Sequence, residues 1–220
     1  MSIDYEKGRR HLMRRDPVLA RIIRRVGPCG LGALPDRDAF VSLLEAIASQ
    51  QLSAKAADTI FCRFCDLFPP DRSPDPARIA RLDDAAIRAA GFSGAKIGYV
   101  RDLAAHVADG RLDLAALESA SDADVMAMLT RVKGIGRWTA EMFLIFRLKR
   151  PDVFAVDDLG LVNAVQRAYA LRARPSPRRL DAISEGWRPY RSLASWYLWK
   201  SLALPAESAA RAVTSRQRST

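Results

Sequence analysis

The stretch RVKGIGRWTAEM, residues 131–142, interrupts a helical pattern with two glycines that flank a single aliphatic residue. Gly134 and Gly136 are poor residues for a helix interior, because glycine pays the largest backbone entropy cost. They permit a tight turn that exposes backbone N–H groups, and the helix that follows adds free N–H donors and the positive end of its dipole. The stretch therefore predicts a turn between two helices that can seat a phosphate without a basic side chain.

Two other structures fit parts of this stretch. The G-x-G spacing also occurs in dinucleotide-binding loops, but here the preceding element has a helical pattern and the sixth position of that motif is Thr139. A plain turn between packed helices fits the local sequence as well. The downstream sequence favours the phosphate seat, since Asp158 follows Trp138 by twenty positions, where a new helix begins. Asp157 or Asp158 would cap that helix, and a cap would also fix a catalytic carboxylate rigidly.

Helical periodicity covers nearly the whole chain, and no alternating strand pattern is present, which predicts an all-α fold. Asp36 or Asp38, Ser53 and Ser121 are the expected N-caps of three helices. The last ten residues are polar, and we expect them to be disordered. Further helices are expected over residues 79–90, 93–110, 138–149 and 187–204, with a basic loop at 172–179.

Composition limits the class of protein and of partner. The 220 residues are 49% hydrophobic, and 35 Lys and Arg against 25 Asp and Glu give a net charge of +10. This excess favours nucleic acid or an anionic membrane surface as partner. We find no signal peptide and no apolar run near the ~20 residues that span a bilayer, so a soluble cytoplasmic protein is expected. Three cysteines exclude a disulfide framework, and Cys62 and Cys65 lack the further ligands of a zinc site.

Five motifs in order give the chain a family resemblance over roughly residues 10–204. These are AIASQQLSAKAA, AGFSGAKIGYVRDLA, LTRVKGIGRWTAEMFLIF, DVFAVDDLGL and GWRPYRSLASWYLW. They resemble the helix-hairpin-helix DNA glycosylase superfamily and, within it, the 3-methyladenine DNA glycosylase II family. The resemblance implies two helical lobes with a DNA-binding cleft between them. The central lobe would span 39–154 and end in the helix-hairpin-helix, and residues 1–38 with 155–220 would form the second.

The resemblance also implies a reaction. A monofunctional DNA glycosylase of this family flips an alkylated purine, such as 3-methyladenine or 7-methylguanine, out of duplex DNA and hydrolyses its glycosidic bond in base excision repair. Asp158 matches the catalytic aspartate, which would stabilise charge on the sugar or orient water. Trp138 and Trp199 match the base-stacking positions, although Trp199 lies in an aromatic-rich helix where core packing is the alternative. Met142 stands where related pockets carry a tyrosine.

The remaining site residues would contact DNA. Gln50 and Gln51 lie where the family inserts a residue into the gap left by the flipped base, and an exposed polar loop is the alternative. Arg191 and Lys96 are candidate phosphate contacts or ordinary solvated residues. The hairpin would grip phosphate through Lys133, Gly134, Gly136, Arg137 and Thr139, often with a bound monovalent cation. The expected partner is double-stranded DNA with alkylated bases, bound by a monomer without a metal or other cofactor.

Two rival functions remain open from the sequence. One is a non-catalytic helix-hairpin-helix module that grips duplex DNA, which the position of Asp158 behind Trp138 disfavours. The other is a glycosylase for oxidised or deaminated bases in a similar fold. No residue in the sequence separates this second rival from excision of alkylated purines.

Overall fold

The structure is a computed structural model, and it describes residues 4–35 and 37–205. These residues form an all-α fold, as predicted, with no strand in the described ranges. None of the described helices combines the length and the hydropathy that a membrane span requires. The helices are α1 Tyr5–Arg15, α2 Pro17–Val26, α3 Ala39–Ser49, α4 Ala54–Cys65, α5 Pro76–Arg81, α6 Asp84–Ala89, α7 Gly94–Ala108, α8 Ala116–Ser119, α9 Asp122–Leu129, α10 Arg137–Met142, α11 Leu159–Ala168, α12 Pro177–Ser184 and α13 Arg191–Leu202.

The helices pack in two groups that share one apolar core. In the middle of the sequence, α3 packs on α4 and α7, α7 also contacts α5 and α6, and α9 contacts α10. Helices from both ends of the chain form the other group, in which α13 packs on α2 and α11 and α1 contacts α2 and α13. This pattern supports two lobes, and the boundaries at residues 38 and 154 stay a prediction.

Polar N-caps begin several helices where the sequence predicts them. The Asp38 carboxylate accepts from the N–H of Val41 at 3.0 Å, and the Ser53 hydroxyl accepts from the N–H of Ala56 at 3.4 Å. Ser121 accepts from the N–H of Asp124 and donates to its carboxylate at 2.6 Å. Each bond satisfies a donor that the first helical turn leaves unpaired. Asp36, the alternative cap of α3, lies outside the described residues, as does the predicted disordered tail.

Three helix boundaries differ from the sequence prediction. The helix expected over 79–90 is wrong: Leu82 is extended and Asp83 caps a second helix, so α5 and α6 replace it. The last helix begins at Arg191 rather than residue 187, because Pro189 separates it from a 3-10 turn at Glu185–Trp187. The basic loop expected over 172–179 ends early, because Ser176 caps α12 ahead of a proline at the first helical position.

One half-buried carboxylate joins the two ends of the chain. Asp16 separates α1 from α2, and its Oδ1 caps α2 by accepting from the N–H groups of Val18 and Leu19 at 2.8 and 3.1 Å. Its Oδ2 accepts from the indole N–H of Trp187 at 2.8 Å and from the Tyr169 hydroxyl. Burial, together with the bond to Asp16, raises the pKa of Tyr169. Asp16 therefore fixes the N-terminal helices against the region between α11 and α13.

Candidate active site

Asp158 stands at the N-terminus of α11 with both carboxylate oxygens held. Oδ1 accepts from the N–H of Leu161 at 2.7 Å, which is the N-cap bond, and from Nε1 of Trp199 at 2.8 Å. Oδ2 accepts from Nε1 of Trp138 at 2.8 Å. Asp158 thus caps α11 and has its carboxylate fixed by two indoles, and its catalytic role stays a prediction. The adjacent Asp157 is exposed and lines a different cleft.

The two indoles that donate to Asp158 come from different helices. Trp138 lies in the first turn of α10 and is 43% exposed, which is high for a tryptophan. Trp199 comes from α13 and stacks on Phe146, with ring centroids 5.5 Å apart and planes at 29°. Gly160 makes this approach possible, since a Cβ there would lie 3.2 Å from the Trp199 ring and 3.0 Å from Asp158 Oδ1. Trp199 thus bonds to Asp158 as well as packing against the core, and its role in base stacking stays a prediction.

A cavity of about 360 Å³ lies beside Phe146, the residue that stacks on Trp199. Met142 and Phe146 form part of its wall, and Leu34 and Pro35 close it from the segment before α3. Six of the eleven lining residues are apolar, and three of the others, Arg37, Glu45 and Arg147, are charged. The lining residues are Leu34, Pro35, Arg37, Ser42, Glu45, Ala46, Ser49, Met142, Phe143, Phe146 and Arg147. Met142 therefore lies where the resemblance places a pocket residue.

A π-helical stretch, Phe143–Arg147, continues α10 past Met142. Its signature bond runs from the N–H of Leu148 to the carbonyl of Phe143 at 3.0 Å, five residues back. Such wide turns are frequent at functional sites. Here the stretch contains Phe146, which touches both the cavity and Trp199.

The hairpin is the predicted turn, and Gly134 is its constrained residue. Its φ of +82° lies in the left-handed region, and a Cβ would come within 2.3 Å of the Tyr99 ring. Gly136 has φ −88° and open space where a Cβ would be, so the backbone does not require glycine there. The N–H of Lys133 donates to Asp102 Oδ2 at 2.8 Å, and its side chain is exposed.

The helix start after the hairpin presents unpaired donors. In the described part of the chain, residues 136–139 make no backbone hydrogen bond through their N–H groups. Arg137 is 64% exposed and pairs with Glu141 at 2.8 Å. Thr139 is only 4% exposed, so its side chain packs in the interior, and its contact with DNA stays a prediction. Only its N–H remains available to an anion at this helix terminus.

The loop after α3 contacts the hairpin directly. Gln50 Nε2 donates to the carbonyl oxygen of Gly134 at 2.7 Å, while the neighbouring Gln51 is exposed with φ +59°. Lys96 Nζ donates to the carbonyls of Ala48 and Gln50, both at 2.7 Å. Of the two glutamines, therefore, Gln51 is the one presented to the surface. The ammonium of Lys96 is used inside the protein rather than on a solvated face.

Arg191 is likewise engaged within the protein. Its Nε donates to Asp152 Oδ1 at 2.9 Å, and its Nη2 donates to the Asp152 carbonyl at 2.8 Å. The solvated-face alternative for this residue is therefore wrong. Phosphate contact by Arg191 or Lys96 stays a prediction, and it would compete with these internal bonds.

The resemblance implies a monovalent cation at the hairpin, where backbone carbonyl oxygens are candidate ligands. One of these oxygens, on Gly134, already accepts from Gln50. Within residues 4–35 and 37–205, no cluster of three His, Cys, Asp or Glu side chains is suited to a metal ion. Cys62 is exposed and Cys65 is half-buried at the end of α4. The cation stays a prediction.

Glu141 is a buried carboxylate that the sequence gives no reason to single out. It is 4% exposed, and Oε2 has no hydrogen-bond partner, while Oε1 accepts from Arg137. Burial raises the pKa of Glu141 above its ordinary value of 4.5 despite the nearby guanidinium. The folded protein therefore binds this proton more tightly than the unfolded chain does.

We expect Glu141→Gln to be more stabilising at pH 7 than at pH 4. With a raised pKa, the ionised Glu141 costs stability as pH rises from 4.5 through the folded value, and glutamine removes that cost. Thermal unfolding at both pH values measures the difference. Glu185→Gln is the control, because that side chain is 67% exposed. An equal shift for Glu141→Gln at the two pH values would contradict the expectation.

Comparison with known proteins agrees with this geometry. Residues 44–189 match the HhH-GPD superfamily of base excision DNA repair proteins. The chain belongs to this superfamily. It is similar to DNA-3-methyladenine glycosylase 1 of Schizosaccharomyces pombe, with 36% identity over 200 residues that cover 90% of this chain and 88% of that protein. The resemblance inferred from the motifs is therefore confirmed.

Two solved structures of the superfamily share the fold. A 3-methyladenine DNA glycosylase of S. pombe in complex with abasic DNA is 35% identical, with a TM-score of 0.83 over 92% of this chain and 99% of that one. A DNA-3-methyladenine glycosidase from Bacillus halodurans is 37% identical, with a TM-score of 0.76 over 88% of each chain. The all-α helix-hairpin-helix architecture of this protein is thus that of its superfamily.

Proposed function

We propose that this protein is a monofunctional DNA glycosylase that hydrolyses the glycosidic bond of alkylated purines in duplex DNA, with Asp158 as its catalytic carboxylate. The observation that carries the proposal is the bond set of Asp158, whose two oxygens accept from the indoles of Trp138 and Trp199, while Phe146 stacks on Trp199 and lines the neighbouring cavity. The names of its relatives, which are 3-methyladenine DNA glycosylases, support the same substrate class.

Base recognition would rest on aromatic faces. Because each indole N–H is bonded to Asp158, the ring orientations are fixed before a base arrives. A purine alkylated at N3 or N7 is cationic, and attraction to an indole face contributes about 0.5–2 kcal/mol per contact. The cavity walled by Met142 and Phe146 would receive the flipped base next to these rings.

The purine leaving group needs little catalytic assistance from the protein. A cationic purine already weakens its glycosidic bond, so no general acid is required to protonate it. Positive charge develops on the sugar as the bond breaks, and the fixed carboxylate of Asp158 stabilises that charge or orients the attacking water.

DNA binding would use the hairpin and the loop after α3. The unpaired N–H groups of residues 136–139 suit a backbone phosphate, and the net charge of +10 predicts affinity that falls steeply with salt. Gln51 would enter the gap left by the flipped base, because Gln50 is bonded to the hairpin and Gln51 is exposed. A monomer would bind in this way, in the cytoplasmic compartment expected from the sequence.

Product release from methylated duplex DNA tests the function. We expect 3-methyladenine and 7-methylguanine among the freed bases, identified by chromatography and mass spectrometry. Release of oxidised or deaminated bases in preference to these would favour the rival glycosylase reading. Tight binding with no base released from any substrate would favour the non-catalytic module.

We expect no strand cleavage and no borohydride trapping. A lyase reaction needs an amine that attacks C1′ to form a Schiff base. The residue after the hairpin that faces the site is Trp138, which has no such amine, and Lys133 lies on the other side of the turn, where its N–H bonds to Asp102. Borohydride added during turnover should therefore leave no covalent protein–DNA adduct. Efficient trapping that one lysine substitution abolishes would overturn the monofunctional assignment.

A further inference from the structure

One face of α7 supports both loops that the proposed function places on DNA. Lys96, Tyr99 and Asp102 are three residues apart in turn, so they lie on the same side of the helix. Lys96 bonds the loop after α3, while Tyr99 packs beneath Gly134 and Asp102 accepts from the N–H of Lys133. The gap-filling loop and the hairpin are thus mounted on one rigid element.

The loop after α3 has a conformation that needs such support. Gln51 has φ +59°, in the left-handed region that side chains rarely adopt. Strained residues of this kind persist only where their surroundings determine them. Lys96 supplies two bonds of 2.7 Å to the carbonyls of Ala48 and Gln50, which lie just before the strained residue. These carbonyls belong to the end of α3, where helix acceptors lack partners and a cation is favourable.

We propose that Lys96 is a positioning residue for base excision, holding Gln51 in the conformation in which it enters the gap left by the flipped base. The bond from Gln50 to the Gly134 carbonyl extends the same support to the hairpin. The hairpin that would bind phosphate and the loop that would fill the gap are therefore held in a fixed relative position before DNA binds. This inference rests on the proposed function only for the role of Gln51.

If Lys96 instead contacted a DNA phosphate directly, its loss would have a different effect on duplex binding. Two of its three N–H donors already bond to carbonyls, and burial lowers the pKa of its ammonium. Loss of a phosphate contact weakens every duplex alike and reduces the salt dependence of binding. Loss of a positioning residue weakens only complexes in which the gap is filled. Undamaged and abasic duplexes separate the two roles.

The experiment uses the full chain with Lys96→Met and Lys96→Arg. Methionine keeps the apolar stem and removes the donors, whereas arginine keeps a charged donor able to bridge two carbonyls. Lys7→Met is the control, since Lys7 is an exposed lysine of α1 and the change in net charge is the same. The measurements are affinity for an undamaged duplex and for one with a tetrahydrofuran abasic analogue. A 2-aminopurine beside the analogue reports gap filling.

We expect Lys96→Met to bind undamaged duplex with the same affinity as Lys7→Met. Its preference for the abasic over the undamaged duplex should fall about ten-fold, the factor typical of losing a hydrogen bond to a charged group. Lys96→Arg should recover part of that preference. Gln51→Ala should lose it as well, and the double variant should lose no more than either single one, because the two residues act through one contact with DNA.

Several results would overturn the inference. One is an unchanged abasic preference in Lys96→Met. Additive losses of abasic preference in the double variant are another. A third is an equal loss of affinity for both duplexes together with a lower Tm. Either result would make Lys96 a phosphate contact or a purely structural residue. Failure of the proposed function looks different: wild-type protein would release no methylated purine, while a Lys96-dependent abasic preference would still support the positioning role.

Discussion

Asp158→Asn should retain the fold and DNA binding and lose base release by about 10²–10³-fold, the effect typical of removing one electrostatic stabiliser of a transition state. Asparagine keeps one carbonyl oxygen that can accept from the N–H of Leu161, so α11 stays capped. The amide removes the negative charge and places N–H donors at the Oδ2 position, where the indole of Trp138 also donates. Single-turnover release of 7-methylguanine, with affinity for an abasic duplex, measures the two effects separately.

Asp157→Asn is the matched control for this substitution. Asp157 is adjacent in sequence and exposed, and it lines the cleft with Glu141 and Asp181 instead of meeting the indoles. We expect its base release to stay within about two-fold of wild type, as for a surface substitution away from the site. Equal losses at the two positions would remove the assignment of Asp158.

Gly134→Ala should abolish tight binding to every duplex, damaged or undamaged. An alanine at φ +82° costs roughly 1–2 kcal/mol from the left-handed conformation alone. In addition, its Cβ would lie 2.3 Å from the Tyr99 ring, so the turn or α7 must shift. Because the hairpin would grip the sugar–phosphate backbone, the loss should not depend on the base. Fluorescence anisotropy with undamaged and abasic duplexes across a salt series measures it.

Gly136→Ala separates the fold of the hairpin from its DNA surface. At φ −88° and with open space around the added Cβ, this variant should unfold at the same Tm as wild type. A larger side chain at Gly136 should still weaken all duplexes alike, since it would stand among the unpaired N–H groups of residues 136–139. A loss confined to damaged DNA would instead place Gly136 at the base pocket.

The parts of the site that follow from local backbone chemistry could be predicted from sequence. Gly134 marks a turn because only glycine fits its conformation beside Tyr99, and Asp158 marks a helix start because its carboxylate caps α11. Both signals lie within a few residues of the feature that they predict. The same holds for the caps at Asp38 and Ser53. The all-α fold follows from a periodicity that is likewise local.

The roles of the charged side chains could not be predicted in this way. Lys96 bonds to carbonyls 46 and 48 positions away, and Arg191 bonds to an aspartate 39 positions away. Such pairings depend on how helices pack, which periodicity does not specify. Thr139 and Glu141 show the same limit, because a six-residue helix gives too little pattern to identify its buried face. Phe146 could have been found only from the π-helical stretch, which has no clear sequence signal.

The contacts of Asp16 with residues near the other end of the chain affect when the protein can fold during its synthesis. Its partners Tyr169 and Trp187 are 153 and 171 positions downstream, and the cavity joins Leu34 to Phe146, which in turn stacks on Trp199. A nascent chain on a ribosome therefore has no working site until α13 has been synthesised and has emerged. Helices α1 and α2 both contact α13, so the apolar faces that they turn towards it stay uncovered until α13 has emerged.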